Sequence, residues 1–216
     1  MKTLKLVIGV VSLLLLVMTS CEFMKPDNHE SVDLGLSVEW ATCNIGADYP
    51  EEYGDYFAWG ERYSGNGYWD SYKWETTEGG VSYYTKYCRY GIYADNKIFL
   101  DLYDDAAYAK WGSRWRMPTK DEIVELVVKC KWSHIMQNGV KGFKVVGPNG
   151  NCIFIPASGM LLDGERSSVG TEGYYWSSSL NGESDISAYV LYINAEEVRC
   201  GNVNRAIALP IRPVRK

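Results

Sequence analysis

The 216-residue chain has very little histidine and no excess of positive charge. Its only histidines are His29 and His134, and its 27 acidic residues outnumber its 22 basic ones. A protein that binds nucleic acid needs a basic surface to displace the counterions of the phosphates, so this composition argues against a nucleic-acid partner. The six cysteines form no CxxC pair and no His-rich spacing accompanies them. We therefore expect no zinc site and no other cofactor.

The sequence also lacks an apolar run of the roughly 20 residues that a membrane-spanning helix needs. Its N-terminal apolar stretch covers only residues 6–17, follows two lysines and ends shortly before Thr19, Ser20 and Cys21. This layout is typical of a secretory signal peptide. Small residues directly before a cysteine resemble the bacterial lipobox, and the alternative is an ordinary signal peptide followed by a chance cysteine.

We predict a signal peptide over residues 1–20, a lipidated Cys21 and a polar tether over residues 21–30. Acyl chains on Cys21 would hold the protein on a membrane without a transmembrane helix. The prediction places the protein in the cell envelope, with the outer membrane as the expected location. It leaves open whether the protein faces the periplasm or the cell exterior, and the oligomeric state is also open.

Five cysteines follow the predicted lipidation site, at Cys43, Cys88, Cys130, Cys152 and Cys200. An exported chain can form disulfides, but an odd number leaves at least one thiol unpaired. We predict a disulfide between Cys152 and Cys200, because both lie in late segments with the pattern of strands. Isolated buried thiols are an equally compatible interpretation.

Residues 31–216 are long enough for one domain with a substantial core. Two segments, 101–112 and 120–131, are predicted to be helices, the first capped by Asp101 or Asp104 and ended by Gly112. Alternating apolar residues predict strands at 34–43, 54–59, 142–146, 151–155, 174–178, 187–193, 197–200 and 206–211. The Gly147-Pro-Asn-Gly150 turn predicts a hairpin. Two helices in the first half and a strand-rich second half indicate an α+β fold.

The segment RWRMPTKDEIVEL, residues 114–126, contains the strongest local signal. Thr119 and Glu122 have the spacing of a capping box, in which each side chain accepts from the other residue's backbone N–H. An apolar stripe at the spacing of one helix face follows, at Ile123, Leu126, Val127 and Cys130. The acids of this segment therefore have structural roles, and a pair of catalytic carboxylates is not needed to explain them.

The same segment carries a family resemblance. Trp115-Arg116-Met117-Pro118-Thr119-x-x-Glu122 resembles the signature of the Fibrobacter succinogenes major paralogous domain, a C-type-lectin-like module abundant in Bacteroidetes lipoproteins. Similar stretches cover most of residues 32–214, at 32–47, 51–61, 85–88, 95–97, 104–107, 138–145, 153–159 and 173–179. The resemblance implies a C-type-lectin-like fold, with two helices packed on small antiparallel sheets and a long loop region between them. It implies no established activity.

A more distant resemblance is to the formylglycine-generating enzymes, which share the R-x-P-T-x-x-E helix start and the broader fold. Those copper oxidoreductases need a close pair of C-terminal cysteines as soft ligands, and Cys200 is the one cysteine in that region here. We therefore favour a protein that is not an enzyme. Asp101, Asp104 and Asp105 are weak candidates for a calcium site, with helix capping as the alternative role.

Aromatic residues are abundant, with 17 tyrosines and eight tryptophans. A Gly- and Ser-rich segment, residues 61–80, has no regular period and is predicted to be a long ordered loop. Five of its aromatic residues are candidate ligand contacts, namely Tyr63, Tyr68, Trp69, Tyr72 and Trp74. Flat rings beside polar side chains suit a glycan or a protein partner, and the alternative is that several pack inward.

From these features we predict a non-enzymatic, lipid-anchored extracytoplasmic module that binds a glycan or a protein, such as an adhesion module. The alternatives are a copper oxidoreductase of the formylglycine-generating type and a purely structural envelope protein.

Overall fold

The computed structural model describes residues 29–216. The predicted signal peptide, Cys21 and most of the predicted tether lie outside these residues. Within residues 29–216, no helix is both long and apolar enough to cross a membrane. The described chain consists mainly of small antiparallel sheets with two α-helices, as expected for the α+β class.

The two helices are short and neighbouring in sequence, α1 over Ala106–Trp111 and α2 over Lys120–Lys129. Single 3₁₀ turns lie at Trp69–Ser71 and Leu102–Asp104. The strands are β1 Ser31–Val32, β2 Glu39–Ala41, β3 Glu75–Glu78, β4 Val81–Tyr84, β5 Lys131–Gln137, β6 Val140–Val146, β7 Cys152–Pro156, β8 Met160–Leu162, β9 Glu165–Ser167, β10 Gly173–Leu180, β11 Ser187–Ile193, β12 Val198–Asn204 and β13 Val214–Arg215.

These strands form five small antiparallel sheets. Three sheets have three strands each, in the orders β1-β2-β13, β5-β6-β7 and β10-β11-β12. Two further sheets are the hairpins β3-β4 and β8-β9. The C-terminal β13 pairs with β2 near the start of the domain, so the two ends of the described chain are held in one sheet.

Two apolar clusters form most of the core. The first joins α2, through Ile123 and Leu126, to the inner faces of the β5-β6-β7 and β10-β11-β12 sheets. The second lies beside α1 and contains the fully buried Trp59 and Trp176. Their indole N–H groups donate to the carbonyls of Ser177 and Phe57, at 2.8 and 2.7 Å. Buried indoles are stable here because their polar atoms are paired.

The capping box at the start of α2 is confirmed. The Glu122 N–H donates to Thr119 Oγ1 at 3.3 Å, and the Thr119 N–H donates to Glu122 Oε2 at 2.8 Å. The Glu122 carboxylate also accepts from Arg116 Nη1 at 2.7 Å, an ion pair that the sequence did not predict. Burial alone would raise the pKa of Glu122, but Arg116 and the Thr119 N–H outweigh it, so this pKa lies below its ordinary value.

The first helix differs from its prediction over 101–112. Only Ala106–Trp111 is α-helical, and the cap is Asp105 rather than Asp101 or Asp104. Asp105 Oδ1 accepts from the N–H groups of Ala107 and Tyr108 at 2.8 and 3.1 Å. Gly112 ends the helix with φ of 90°, as predicted.

The hairpin around Gly147–Gly150 is confirmed, because β6 pairs with β7 from Gly142–Pro156 to Val146–Cys152. The strands predicted at 34–43 and 54–59 are largely wrong. The first is reduced to β2, and the second makes a single bridge between Phe57 and Leu209. Gly54 has φ of 71°, and a Cβ there would lie 2.3 Å from the Ile45 carbonyl oxygen, so the chain turns sharply here instead of extending.

Seven of the thirteen strands in the described chain were not predicted, namely β1, β3, β4, β5, β8, β9 and β13. The supposed loop at 61–80 contains β3, and β5 follows α2 almost without a linker although its sequence, KWSHIMQ, is largely polar. The strand predicted at 206–211 is wrong in detail, since Ala208 and Leu209 make only isolated bridges.

Replacing Thr119 by alanine should lower the free energy of unfolding by about 1 kcal/mol, because the Glu122 N–H loses its side-chain acceptor. Chemical denaturation measures the change. Thr77→Ala is the matched control, since Thr77 is exposed on β3 and a surface substitution of this kind should have a smaller effect. An equal loss in both variants would contradict the assigned role of the cap.

Candidate functional site

The five aromatic residues predicted as ligand contacts divide into two groups. Tyr63, Tyr68 and Trp69 are exposed, with 71%, 48% and 38% of their surface accessible. Tyr72 is only 4% exposed, and Trp74 is partly buried against the second core cluster. We refer to Tyr63, Tyr68 and Trp69 as the aromatic surface, and it is the candidate binding site of the described chain.

Tyr72 points into the protein and anchors the loop. Its hydroxyl donates to the Trp59 carbonyl at 2.8 Å and accepts from Arg205 Nε at 2.8 Å. Burial raises the pKa of Tyr72, so the hydroxyl remains a proton donor at all ordinary pH values. The prediction that Tyr72 contacts a ligand is therefore wrong, because a fully engaged buried side chain cannot reach one.

Trp74 is also tied to the interior. Its indole N–H donates to the Gly60 carbonyl at 3.1 Å, and the Lys73 and Lys86 ammonium groups lie 3.9 and 5.2 Å from its ring centroid. Both ammonium groups also bind the carboxylate of Asp104, at 3.3 and 2.6 Å. Trp74 thus packs against a charged cluster of Lys73, Lys86 and Asp104, which holds this part of the 61–80 segment against the protein.

The backbone of the loop is fixed against the β8-β9 hairpin. The Asp163 N–H donates to the Gly67 carbonyl at 3.2 Å, and the Gly164 N–H donates to the Asn66 carbonyl at 2.8 Å. Gly67 has φ of 69°, and a Cβ there would lie 2.3 Å from the Leu161 carbonyl oxygen, so only glycine allows this close approach. The backbone next to the aromatic surface is therefore fixed by hydrogen bonds to the β8-β9 hairpin.

Polar and charged groups border the aromatic surface. The Lys110 ammonium lies 5.4 Å from the Tyr63 ring centroid, and the Arg62 guanidinium lies 6.0 Å from it. Asp70 lies in the 3₁₀ turn that contains Trp69. The surface thus combines flat aromatic faces with hydrogen-bonding groups of both charges.

The three aspartates proposed for calcium do not converge on a cation site. Asp101 binds Lys86 and Lys97, both at 2.6 Å, and Asp104 binds Lys73, Lys86 and the Tyr87 hydroxyl. Asp105 accepts three backbone N–H groups, including that of Met117 at 2.8 Å. Within the described chain, no three histidine, cysteine or acidic side chains are grouped to hold a metal ion.

The predicted Cys152–Cys200 disulfide is wrong. Cys152 is exposed at the start of β7, whereas Cys200 is half-buried in β12, in a different sheet, and both thiols are free. Burial raises the pKa of Cys200, which disfavours the thiolate that a soft metal would require. The other described cysteines, Cys43, Cys88 and Cys130, are free as well.

The three consecutive serines of β10 have structural roles. Ser178 Oγ donates to the Pro118 carbonyl at 3.3 Å, and Ser179 Oγ accepts from the Lys120 N–H at 3.0 Å, which helps to cap α2. All three are buried. They are therefore not placed to serve as nucleophiles.

Concave surfaces were not predicted from the sequence. Two adjoining clefts of about 390 and 520 Å³ meet at Thr42 and Pro50. A separate cleft of about 240 Å³ lies between β5 and the turn after β11. It is lined by residues 132–134, Phe143 and residues 194–198, and we call it the Trp132 cleft. The walls of these clefts come from segments that are distant in sequence, so sequence patterns could not predict them.

Replacing Asp105 by asparagine should destabilise the protein by about 1–3 kcal/mol, because an amide NH₂ would face the Met117 N–H. Burial raises the pKa of Asp105 to about 6 despite three N–H donors, so folding favours the protonated acid. Its stabilising contribution is present below the unfolded pKa of about 4 and is lost as the pH rises to about 6. The stability advantage of the unmodified protein over D105N should therefore shrink from pH 4 to pH 6.

Denaturation of both proteins at several pH values measures this trend. Asp101→Asn is the control, because hydrogen bonds from Lys86 and Lys97 lower the pKa of Asp101. For this variant the difference from the unmodified protein should decrease as the pH falls, which is the opposite slope. The same slope in both variants would contradict the role given to the burial of Asp105.

No protein-family model matches the chain, and the comparisons with curated proteins and with solved structures find no match either. The family resemblance of the Trp115–Glu122 segment therefore stays a prediction.

Proposed function

We propose that the protein is a lipid-anchored, extracytoplasmic recognition module that binds glycans through Tyr63, Tyr68 and Trp69. The observation that carries the proposal is that these three aromatic side chains are exposed on a backbone that is firmly held. Exposed aromatic side chains grouped in one short segment are typical of an interaction site, and a held backbone reduces the entropy lost on binding.

The glycan is favoured over a protein by the composition of the aromatic surface. Ser, Gly, Asn and Gly separate Tyr63 from the adjacent pair Tyr68 and Trp69, Asp70 follows Trp69, and the Lys110 ammonium lies beside the Tyr63 ring. A sugar ring presents an apolar face bordered by hydroxyl groups, and aromatic rings with adjacent polar side chains match that pattern. A protein interface would be favoured by a larger continuous apolar core.

The C-type-lectin-like fold is part of the proposal. It is supported by the α+β architecture of small antiparallel sheets and two helices, and by the capped start of α2 within the segment that resembles the family signature. The cell-envelope location rests on the sequence of residues 1–21, with Cys21 as the proposed lipid attachment.

The absence of enzymatic activity is also proposed, and the positions of the reactive side chains support it. Ser177, Ser178 and Ser179 are buried within β10. Cys152 and Cys200 lie in separate sheets, so they do not form the two-thiol pair that the copper oxidoreductase alternative needs. The structural-protein alternative expects all loop aromatics to be buried, whereas three are exposed.

Replacing Tyr68 or Trp69 by alanine should weaken glycan binding about fivefold to tenfold, because each ring loses a stacking contact of about 1 kcal/mol. The melting temperature should change by no more than a few degrees, since both side chains are exposed. A glycan array with the protein lacking its predicted signal peptide identifies a ligand, and calorimetry then gives the affinities.

Tyr103→Ala is the matched control, because Tyr103 is 77% exposed and does not belong to the aromatic surface. It should leave the affinity unchanged. Strong destabilisation by Tyr68→Ala and Trp69→Ala without any loss of affinity would show that the rings have a structural role and would refute the proposal.

A further inference from the structure

The Trp132 cleft has one rigid wall of aromatic side chains. Trp132 and His134 are two residues apart on β5, so their side chains point to the same face of the strand. The partners of these residues on β6 are Val145 and Phe143, both buried in the main core. The wall is therefore the open edge of a packed sheet, and the His134 ring lies 5.4 Å from that of Phe143.

The opposite wall is the turn between β11 and β12. Asn194 holds this turn, because its Oδ1 accepts from the N–H groups of Glu196 and Glu197, both at 2.8 Å. Its Nδ2 donates to the Tyr192 hydroxyl at 2.8 Å, and that hydroxyl donates to Glu172 at 2.7 Å. The two glutamates at the mouth of the cleft are thus carried by a backbone with a defined conformation.

The charge of the cleft is negative. Arg199 binds Glu197 at 3.0 Å, whereas Glu196 has no ion pair within residues 29–216. Among the described residues that line the cleft there is no lysine or arginine, and His134 is the one basic side chain. An exposed carboxylate beside an aromatic wall is the combination that binds a cation with an apolar face, through a charge-assisted hydrogen bond and a cation–π contact.

The size of the cleft limits the ligand. Its volume of about 240 Å³ is below the roughly 300 Å³ at which pockets for drug-sized molecules begin. It therefore accommodates one ring rather than a chain. The indole Nε1 of Trp132 is buried and has no hydrogen-bond partner in the described chain, so Trp132 contributes its ring rather than its N–H to the cleft.

We infer that the Trp132 cleft binds a single protonated amino sugar, with its ammonium group at Glu196 and its ring against Trp132. The preference for a cation rests on Glu196 and on the described lining residues, which include no lysine or arginine, whereas the choice of a sugar rests on the proposed glycan recognition. The cleft is formed by β5 and the β11-β12 turn, and the aromatic surface is formed by the 61–80 segment. The protein therefore has two separate contacts for a glycan that contains an amino sugar.

The test is a titration of the ¹⁵N-labelled protein followed by NMR. Trp132→Phe removes one indole N–H signal and so identifies that of Trp132, while keeping an aromatic ring in the wall. Glucosamine should shift this signal, and N-acetylglucosamine, which has no positive charge, should bind at least tenfold more weakly. Butylammonium, a cation without a sugar ring, should also bind more weakly than glucosamine.

Glu196→Gln should reduce the affinity for glucosamine about tenfold, because it removes the charge and keeps the shape. Since Glu196 is exposed, the variant should keep the spectrum of the folded protein. Trp69→Ala, in the aromatic surface, should leave the glucosamine shift at Trp132 unchanged. Together these results would support an amino-sugar site in the cleft.

Equal binding of glucosamine and N-acetylglucosamine, equal binding of butylammonium, or no effect of Glu196→Gln would overturn the inference. Loss of glucosamine binding in Trp69→Ala alone would assign the sugar to the aromatic surface, which refutes the second site but supports the proposed function. Loss of binding in Glu196→Gln alone, with no glycan bound by the aromatic surface, would support the cleft and refute the proposed function.

Discussion

The buried guanidinium of Arg205 determines where the aromatic loop lies. Arg205 is fully buried and pairs with no carboxylate of residues 29–216, yet it donates to the Tyr72 hydroxyl and to the carbonyls of Lys86, Tyr87 and Asp185, all between 2.7 and 2.9 Å. Three aromatic ring centroids lie within 5.4 Å of it, those of Trp59, Tyr72 and Tyr84. A charge removed from water is costly unless its donors are satisfied, and here dipoles and ring faces provide that compensation.

This arrangement joins three distant parts of the chain. Arg205 follows β12, Tyr72 lies in the 61–80 segment, and Lys86 and Tyr87 follow β4. If the segment of Tyr72 moved outward, the guanidinium would lose both a hydrogen bond and an aromatic face while remaining buried. The cost of that loss keeps Tyr72 inside, and the neighbouring Tyr68 and Trp69 are consequently directed to the surface.

The Trp115–Glu122 segment has a comparable joining role between the two helices and the β10-β11-β12 sheet. The Met117 N–H donates to Asp105 at the start of α1, and the Pro118 carbonyl accepts from the Ser178 N–H of β10 at 2.8 Å. Arg116 pairs with Glu122 at the start of α2. This segment therefore connects both helices to the β10-β11-β12 sheet, which is a sufficient physical reason for its concentration of charged and hydroxyl side chains.

Much of this structure follows from short-range interactions and was accordingly predictable. The capping box of Thr119 and Glu122, the helix end at Gly112 and the hairpin at Gly147–Gly150 each depend on residues within a few positions of one another. The predictions for 34–43 and 54–59 failed because distant backbone decides those conformations. The chain there is bent by close contacts such as that of Gly54 with Ile45, and alternation alone cannot reveal a bend.

For the candidate site, the sequence by itself determined that the 61–80 segment is rich in aromatic residues and flanked by polar ones. It could not determine which rings face solvent, because Tyr68 and Tyr72 have the same side chain and lie in similar sequence. Tertiary structure made that choice, since the partner that holds Tyr72 inside is 133 residues away. The Trp132 cleft has the same origin, because its two walls meet only when the β5-β6-β7 sheet lies against the β11-β12 turn.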